Sequence, residues 1–358
     1  MLQERIIMSW EDNVRKVVPY TPGEQPKSRK VIKLNTNENP YPPSPLVEKA
    51  IKDFDAGLLR KYPDTQATEL VNELAKTYGL KSENIFTGIG SDDVLALSFL
   101  TFFNSQKPVL FPDITYSFYD VWAELYRIPY ETQALDSDFR IVSADYLRDN
   151  GGVVIANPNA PTGEELPLTE IEKIVRFNKD RVVIVDEAYV DFGAESALPL
   201  IEKYDNLLVV QTFSKSRALA GIRIGCAFGQ KKLIGFLKDV KFSFNSYTLN
   251  PLTIAAGAAA LRDDAYFKEI TAKTVATRER MKKELKRLGF CFGDSKTNFV
   301  FARHERLSAT EIFQYLREKE IYVRHFKQPR IDNYLRISVG TEEETDCLIR
   351  ALEELVSC

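Results

Sequence analysis

Apolar strands that alternate with helices constrain the fold of this 358-residue chain more than any other feature. Strands separated by helices pair in parallel, and their carboxyl ends then meet at one edge of the sheet. Ligands bind at that edge in open sheets of this kind. Four predicted strands end in a glycine or a polar residue, at Gly90, Asn157, Asp186 and Lys215. The sequence therefore predicts an α/β fold with one ligand site where these positions meet.

The strand that ends at Lys215 carries the most specific chemistry. Its apolar part, residues 206–210, predicts a buried strand, and Thr212, Ser214 and Arg223 lie close to the lysine in sequence. A buried amine attacks carbonyl carbons, and hydroxyls with a guanidinium bind phosphate. An aldehyde held by a lysine beside a bound phosphate describes pyridoxal 5′-phosphate (PLP). An ordinary surface turn is the alternative, and this stretch alone does not decide.

Composition excludes several other classes of protein. The chain is 44% hydrophobic and 28% charged, as is usual for a globular protein, and its net charge of −3 comes without a basic tract. Binding to nucleic acid or to a membrane is therefore not expected. Two histidines and four scattered cysteines favour neither a metal site nor a disulfide framework, and no signal peptide is expected. These features suit the cytoplasm.

Three regions are predicted along the chain. Residues 1–30 form an irregular, proline-containing arm, residues 31–250 a large domain, and residues 251–358 a smaller α+β domain. Arg324 and Arg336 each lie inside an apolar strand of the last region. They could face outward from edge strands, but capture of an anion at the domain interface is the favoured interpretation, more so for Arg336.

Two predicted strand-to-helix junctions in the large domain indicate a ligand site less specifically. The sequence from Gly88 through Gly90 and Ser91 predicts a strand followed by a helix that begins at Asp92 or Asp93. Free N–H groups at such a helix start bind phosphate, although Ser and Asp are also ordinary helix caps. The next helix is predicted to begin at Ile114.

Together these segments resemble the fold-type I PLP-dependent aminotransferases of class I and II. The general resemblance rests on Asn157-Pro-Asn-Ala-Pro-Thr-Gly163, Val185-Asp-Glu-Ala-Tyr189, Thr212-Phe-Ser-Lys215 and Leu219-Ala-Gly-Ile-Arg223. The segments Leu34–Tyr41, Lys61–Pro63, Gly90–Asp92 and Leu335–Thr341 resemble more closely the histidinol-phosphate aminotransferase subfamily. The resemblance covers nearly the whole chain. It implies a large domain with a mainly parallel seven-stranded sheet covered by helices, and a smaller α+β domain.

The resemblance also implies roles for the residues of the cofactor site. Lys215 would link covalently to the cofactor's aldehyde and then move the substrate's α-proton, and Asp186 would keep the pyridine nitrogen protonated. Tyr116 would stack on the ring, although an aromatic core residue is a close alternative. Asn157 and Tyr189 would bond the ring hydroxyl. The phosphate would be held by Gly90, Ser91, Asp92, Thr212, Ser214 and Arg223, with Tyr62 from a second subunit of a homodimer.

The implied substrate site contains Tyr20, Asn37, Arg324 and Arg336. Since histidinol phosphate presents a phosphate and glutamate presents carboxylates, an arginine pair could bind each in turn. The implied reaction converts L-histidinol phosphate and 2-oxoglutarate into imidazole acetol phosphate and glutamate, a step of histidine biosynthesis. Aromatic amino acids as substrates, a threonine-phosphate decarboxylase, and a PLP-binding regulator remain alternatives, the last least favoured because no DNA-binding segment is evident.

Departures from the subfamily pattern affect the predicted substrate and leave the predicted cofactor set intact. Pro42 replaces a usual glycine, and Ala160 stands where the loop often has asparagine. Arg217 and Ala218 replace a usual aromatic residue and glycine. Arg217 is close to Lys215 in sequence and could alter binding of the substrate's anion.

Overall fold

The structure is a computed structural model that describes residues 9–21, 23–26 and 30–357. Within these ranges the helices are α1 (Pro45–Lys52), α2 (Thr68–Tyr78), α3 (Gly90–Phe102), α4 (Tyr119–Tyr126), α5 (Leu168–Phe177), α6 (Lys231–Phe244), α7 (Pro251–Arg262), α8 (Asp264–Arg287), α9 (Ala309–Glu318) and α10 (Glu342–Ser357). The strands are β1 (Ile32–Leu34), β2 (Ile85–Ile89), β3 (Val109–Pro112), β4 (Tyr130–Gln133), β5 (Gly152–Ala156), β6 (Val183–Asp186), β7 (Leu207–Thr212), β8 (Ile224–Phe228), β9 (Phe290–Phe292), β10 (Phe299–His304), β11 (Ile321–His325) and β12 (Leu335–Ser338). No helix within the described ranges combines the length and the apolar character that a membrane crossing requires.

The larger sheet has seven strands in the order β2-β8-β7-β6-β5-β3-β4. Its pairs are parallel except those made by β8, which runs antiparallel to β2 and β7. Every residue of β5, β6 and β7 is buried, because apolar side chains pack on both faces of the sheet. The predicted α/β class with a mainly parallel seven-stranded sheet is confirmed.

The second sheet has five strands in the order β1-β11-β12-β10-β9. Strand β1 pairs in parallel with β11, so the region predicted as the large domain, residues 31–250, contributes one strand to this sheet. Arg324 and Arg336 lie on β11 and β12, which are interior strands and face each other directly in the antiparallel register. The alternative of edge strands for these arginines is therefore wrong.

Two predicted helix starts are wrong. Helix α3 begins at Gly90, two residues before Asp92, because Gly90 adopts a φ of 80° that turns the chain directly out of β2. Helix α4 begins at Tyr119 and not at Ile114. Residues 114–118 form a loop, which carries Tyr116 toward the carboxyl edge of the larger sheet.

Close packing of β8 against the start of α3 leads to a prediction about Gly225. A Cβ atom at Gly225 would lie well inside van der Waals contact with backbone atoms of Gly90 and Ser91, which cannot move aside without breaking the turn. We expect Gly225→Ala to lower the free energy of unfolding by about 1–3 kcal/mol, measured by chemical denaturation. Gly235→Ala in α6 is the matched control, since a Cβ there meets no atom and alanine favours the helix. Equal stability of the two variants would contradict this packing.

Candidate active site

A cavity of about 190 Å³ lies at the carboxyl edge of the larger sheet. Lys215 and Asp186, which are 29 positions apart in sequence, both line it, as the strand-end pattern predicts. Strands β2, β6 and β7 end at this edge. Arg223 lies there directly before β8, because that strand runs in the opposite direction and begins at this edge. Other predicted residues on the wall are Ser91, Asp92, Tyr116, Tyr189, Thr212, Ser214 and Arg223.

Asp186 is the buried acid of the cavity, with 4% of its surface exposed. Its Oδ2 accepts a hydrogen bond of 2.8 Å from the Tyr119 hydroxyl, and its Oδ1 accepts one of 3.2 Å from the N–H of Ala188. Burial raises the pKa of Asp186 to about 6, and these two bonds oppose the rise. A carboxylate held in this way favours a cationic partner, such as a protonated pyridine nitrogen.

Tyr119 is a site residue that the sequence did not reveal. It is fully buried at the first position of α4. Burial and the Asp186 charge raise the pKa of the Tyr119 hydroxyl well above its usual value, so the hydroxyl remains a donor. The only local signal was its place in an aromatic segment after a strand, which also describes ordinary core residues.

Hydroxyl groups and a guanidinium form the end of the cavity at which the cofactor's phosphate is predicted to bind. Thr212 Oγ1 donates to Ser214 Oγ at 3.0 Å, and Arg223 Nη1 lies 3.4 Å from the same hydroxyl. Arg223 Nη2 contacts an Asp92 carboxylate oxygen at 3.1 Å, while Tyr116 donates to the other oxygen of Asp92 at 2.7 Å. Tyr116 is thereby oriented by Asp92.

Glycine is required at the start of α3 for this arrangement. A Cβ on Gly90 would collide with the Arg223 guanidinium, so the glycine leaves the room that the arginine occupies. Arg223 itself has a φ of 60°, which is uncommon for a residue with a side chain and is held here by the surrounding contacts. The Gly90 turn and Arg223 together therefore shape the predicted phosphate end of the cavity.

The segment that follows β1 holds Lys215 in place. Lys215 Nζ donates to the carbonyl of Thr36 at 3.4 Å, and Asn39 donates to the Lys215 carbonyl at 2.9 Å. Glu38 also lines the cavity, and hydrogen bonds from Lys33 and Thr36 lower its pKa although burial opposes them. Asn39 is a second residue that the sequence did not single out, since only the fold brings its loop to the lysine.

Asn157 and Asn37 are both buried in polar networks. Asn157 accepts from the N–H of Leu166 at 2.7 Å and donates to the Leu166 carbonyl at 3.1 Å, which uses one of its two amide hydrogens. Asn37 donates to the Tyr189 hydroxyl at 2.9 Å and accepts from Ser338 at 2.9 Å. Asn37 therefore ties a strand of the second sheet to the cofactor cavity.

A second cavity of about 170 Å³ adjoins the first and shares Lys215, Tyr116 and Tyr189 with it. Arg324 and Arg336 line this cavity together with Tyr20. Burial, with the nearby charge of Arg324, lowers the pKa of Arg336, whose Nε has no hydrogen-bond partner. Within the described ranges neither arginine makes an ion pair with a carboxylate. Two arginines arranged in this way fit an anionic ligand.

Two residues lie away from both cavities. Tyr62 is 81% exposed and packs on Tyr247 with ring centroids 4.4 Å apart, so this chain does not bring it to its own site. Arg217 is buried and packs over Phe267, and it donates to the carbonyl of Ala260 at 3.3 Å. Arg217 lines neither cavity, so an effect of this residue on binding of the substrate's anion, as the sequence suggests, would be indirect.

The cavity offers the groups that PLP requires. Asp186 supplies a buried acid for the ring nitrogen, and Lys215 supplies an amine for the aldehyde. The phosphate end beside Gly90 supplies hydrogen-bond donors for a phosphate. The residues present thus fit this cofactor.

Comparison with known proteins agrees with the geometry. A family model described as aminotransferase class I and II matches residues 29–352. Histidinol-phosphate aminotransferase from Lactococcus lactis subsp. cremoris (strain MG1363) is 54% identical over 347 residues, covering 97% of this chain and 98% of that protein. The same enzyme from Clostridium beijerinckii is 51% identical over 348 residues, covering 97% of each.

Solved structures show the same similarity. Histidinol-phosphate aminotransferase from Sinorhizobium meliloti, solved in complex with pyridoxal-5′-phosphate, has a TM-score of 0.82 at 28% identity and covers 92% of each chain. L-threonine-O-3-phosphate decarboxylase from Porphyromonas gingivalis has a TM-score of 0.77 at 22% identity, which shows a shared fold. From the family match, the near full-length relatives and the site geometry, we conclude that this chain belongs to the class I and II aminotransferase family.

Proposed function

We propose that this protein is a PLP-dependent aminotransferase that converts L-histidinol phosphate and 2-oxoglutarate into imidazole acetol phosphate and L-glutamate. The observation that carries the proposal is the pair Arg324 and Arg336, for which the described part of the chain provides no carboxylate partner. They line a cavity that shares Lys215 with the cofactor cavity. The pair can hold the phosphate of one substrate and a carboxylate of the other in turn, as a ping-pong cycle requires. The similarity to enzymes named for histidinol phosphate supports this substrate. The scattered cysteines favour the cytoplasm as its compartment.

The chain's own residues have distinct tasks in this reaction. When bound, the cofactor withdraws electrons from the substrate's α-carbon and so makes its proton acidic. Lys215 Nζ takes that proton and returns it, which its position on both cavities permits. Asp186 keeps a proton on the ring nitrogen, and Arg223 with Ser214 holds the phosphate. Arg336 and Arg324 orient the substrate by its anionic end.

Product analysis tests the proposed function. Purified protein loaded with PLP is incubated with 2-oxoglutarate and, in separate reactions, with L-histidinol phosphate, phenylalanine or threonine phosphate. We expect glutamate to form fastest with histidinol phosphate, and Lys215→Ala to abolish its formation and the visible absorption band of the bound cofactor. Preference for phenylalanine, or release of carbon dioxide from threonine phosphate without glutamate, would overturn the assigned substrate. Full activity of Lys215→Ala would overturn the role of the lysine.

Arg336 should contribute to binding of both substrates. We expect Arg336→Ala to lower kcat/KM for histidinol phosphate and for 2-oxoglutarate by roughly ten- to hundredfold, the value of a hydrogen bond to a charged group. Steady-state kinetics of the two half-reactions measure this effect. Arg350→Ala, which removes an exposed arginine on α10, is the control and should leave both values unchanged. An unchanged kcat/KM in Arg336→Ala would show that the arginine is only structural.

We also propose that the protein works as a homodimer in which Tyr62 completes the site of the other subunit. Its high exposure next to Tyr247, with the exposed apolar Leu58, Leu59 and Phe244, supports an interface that includes this surface. None of these described residues lines the chain's own cavity. A phenol reaching a phosphate from another subunit would explain a tyrosine left in solvent.

Mixing two impaired variants tests the shared site. Tyr62→Ala and Lys215→Ala are expected to be weakly active and inactive as separate dimers. After subunit exchange, a mixed dimer contains one site with both native residues, so activity should rise above that of either variant alone. Exchange without any gain, with dimers verified by light scattering, would contradict a Tyr62 that acts across the interface.

A further inference from the structure

A hydroxyl behind the cofactor cavity contacts the acid that faces the cavity. Tyr119 is fully buried, and its hydroxyl lies 2.8 Å from Asp186 Oδ2. Tyr119 does not line the cavity itself. The ring of Tyr119 packs among Phe99, Phe111 and Trp122 and against Tyr116 of the cavity wall, and this packing holds the hydroxyl at the carboxylate.

We propose that Tyr119 is a positioning residue that acts through Asp186 to keep the proton on the cofactor's ring nitrogen. This inference rests on the proposed function, because it assumes bound PLP. Asp186 and the ring nitrogen compete for one proton, and only the protonated ring attracts electrons strongly. A hydrogen bond donated to the carboxylate stabilises its charged form and therefore leaves the proton on the nitrogen. Tyr119 can only donate in this role, since burial beside Asp186 keeps its own proton in place.

The other groups around Asp186 do not replace this donor. Ala188 supplies one N–H to Oδ1, and no side chain other than Tyr119 donates to Asp186 within the residues described. The Asp92 charge raises the pKa of Asp186 and so opposes ionisation. The remaining titratable or charged groups that face the same cavity are Glu38, Tyr116, Tyr189, Lys215 and Arg223. Removal of the Tyr119 hydroxyl therefore leaves Oδ2 without a hydrogen-bond donor.

Tyr119→Phe removes the hydroxyl and keeps the aromatic packing. The matched control is Tyr146→Phe, because Tyr146 is equally buried and its hydroxyl has no hydrogen-bond partner among the described residues. Both substitutions delete one buried oxygen, but only the oxygen of Tyr119 contacts Asp186. A difference between the two variants therefore isolates the bond to Asp186 from the general loss of a buried hydroxyl.

The decisive measurement compares two cofactors. One is PLP, and the other is its 1-deaza analogue, in which a C–H group replaces the ring nitrogen. We expect Tyr119→Phe to raise the dissociation constant for PLP by roughly ten- to hundredfold and to leave that for the analogue unchanged. Tyr146→Phe should change neither. Equal losses for PLP and for the analogue in Tyr119→Phe would show that Tyr119 only shapes the cavity, and would overturn the proposal.

The pH dependence of PLP affinity gives a second readout. In the native protein the affinity should fall as the pH drops through about 6, where Asp186 takes up a proton in the absence of cofactor. Tyr119→Phe should move this midpoint to higher pH, since the carboxylate loses a donor. Replacement of Tyr119 by 3-fluorotyrosine keeps the hydroxyl, makes it a stronger donor and should move the midpoint to lower pH. Midpoints that coincide in all three proteins would overturn the proposal.

The two readouts also separate this inference from the proposed function. A native protein that binds no PLP would refute the proposed function itself. The native protein could instead bind PLP and form glutamate, while Tyr119→Phe weakens binding of PLP no more than binding of the 1-deaza analogue. That result would refute only the role of Tyr119. If Tyr119→Phe does not fold, judged by circular dichroism, the fluorotyrosine protein alone decides through the direction of its pH midpoint.

Discussion

The active site depends on a carboxylate kept inside the protein at the end of a central strand. Such a group is costly to bury unless it is paired and hydrogen-bonded. Among the residues that the structure describes, Asp186 has two hydrogen-bond donors and no cationic partner, and burial raises its pKa to about 6. Glu187, the next residue, faces away from the cavity, and donors from Ser196, Ala197 and Gln211 satisfy it. Of these two acids, only Asp186 is therefore available to a cationic ligand.

The segment after β1 connects that site to the arginine-lined second cavity. Thr36 and Asn39 contact Lys215, whereas Asn37 contacts Ser338 on β12, the strand that also carries Arg336. Arg336 in turn donates to the carbonyl of Asn35 at 3.1 Å in the same segment. An anion bound by Arg336 would therefore act on the chain that holds the lysine. The same short piece of backbone thus contacts both Lys215 and Arg336.

The sequence predicted the residues that sit at strand ends and failed for those that only tertiary packing supplies. Lys215 and Asp186 follow long apolar runs, so a local pattern sufficed to place both on one edge. Tyr119 contacts Asp186 from 67 positions away, and nothing local distinguishes it from a core aromatic. Strand β1 pairs with β11 almost 290 positions later in the sequence. The three residues of β1 carry too short a pattern to predict this pairing. The roles of Arg324 and Arg336 likewise depended on whether their strands were interior, which is a property of the whole sheet.

Arg217 shows how neighbours in sequence separate in space. Ser216, directly after the lysine, donates to Asp191, and Arg217 turns away from the cavity to lie over Phe213 and Phe267. Its guanidinium thus closes the back of the lysine loop against α7 and α8. Because it is buried there, its charge is directed at aromatic faces and a carbonyl, and not at a substrate. Arg217 therefore supports the loop that carries the lysine, whereas the arginines that line the second cavity, Arg324 and Arg336, come from the second sheet.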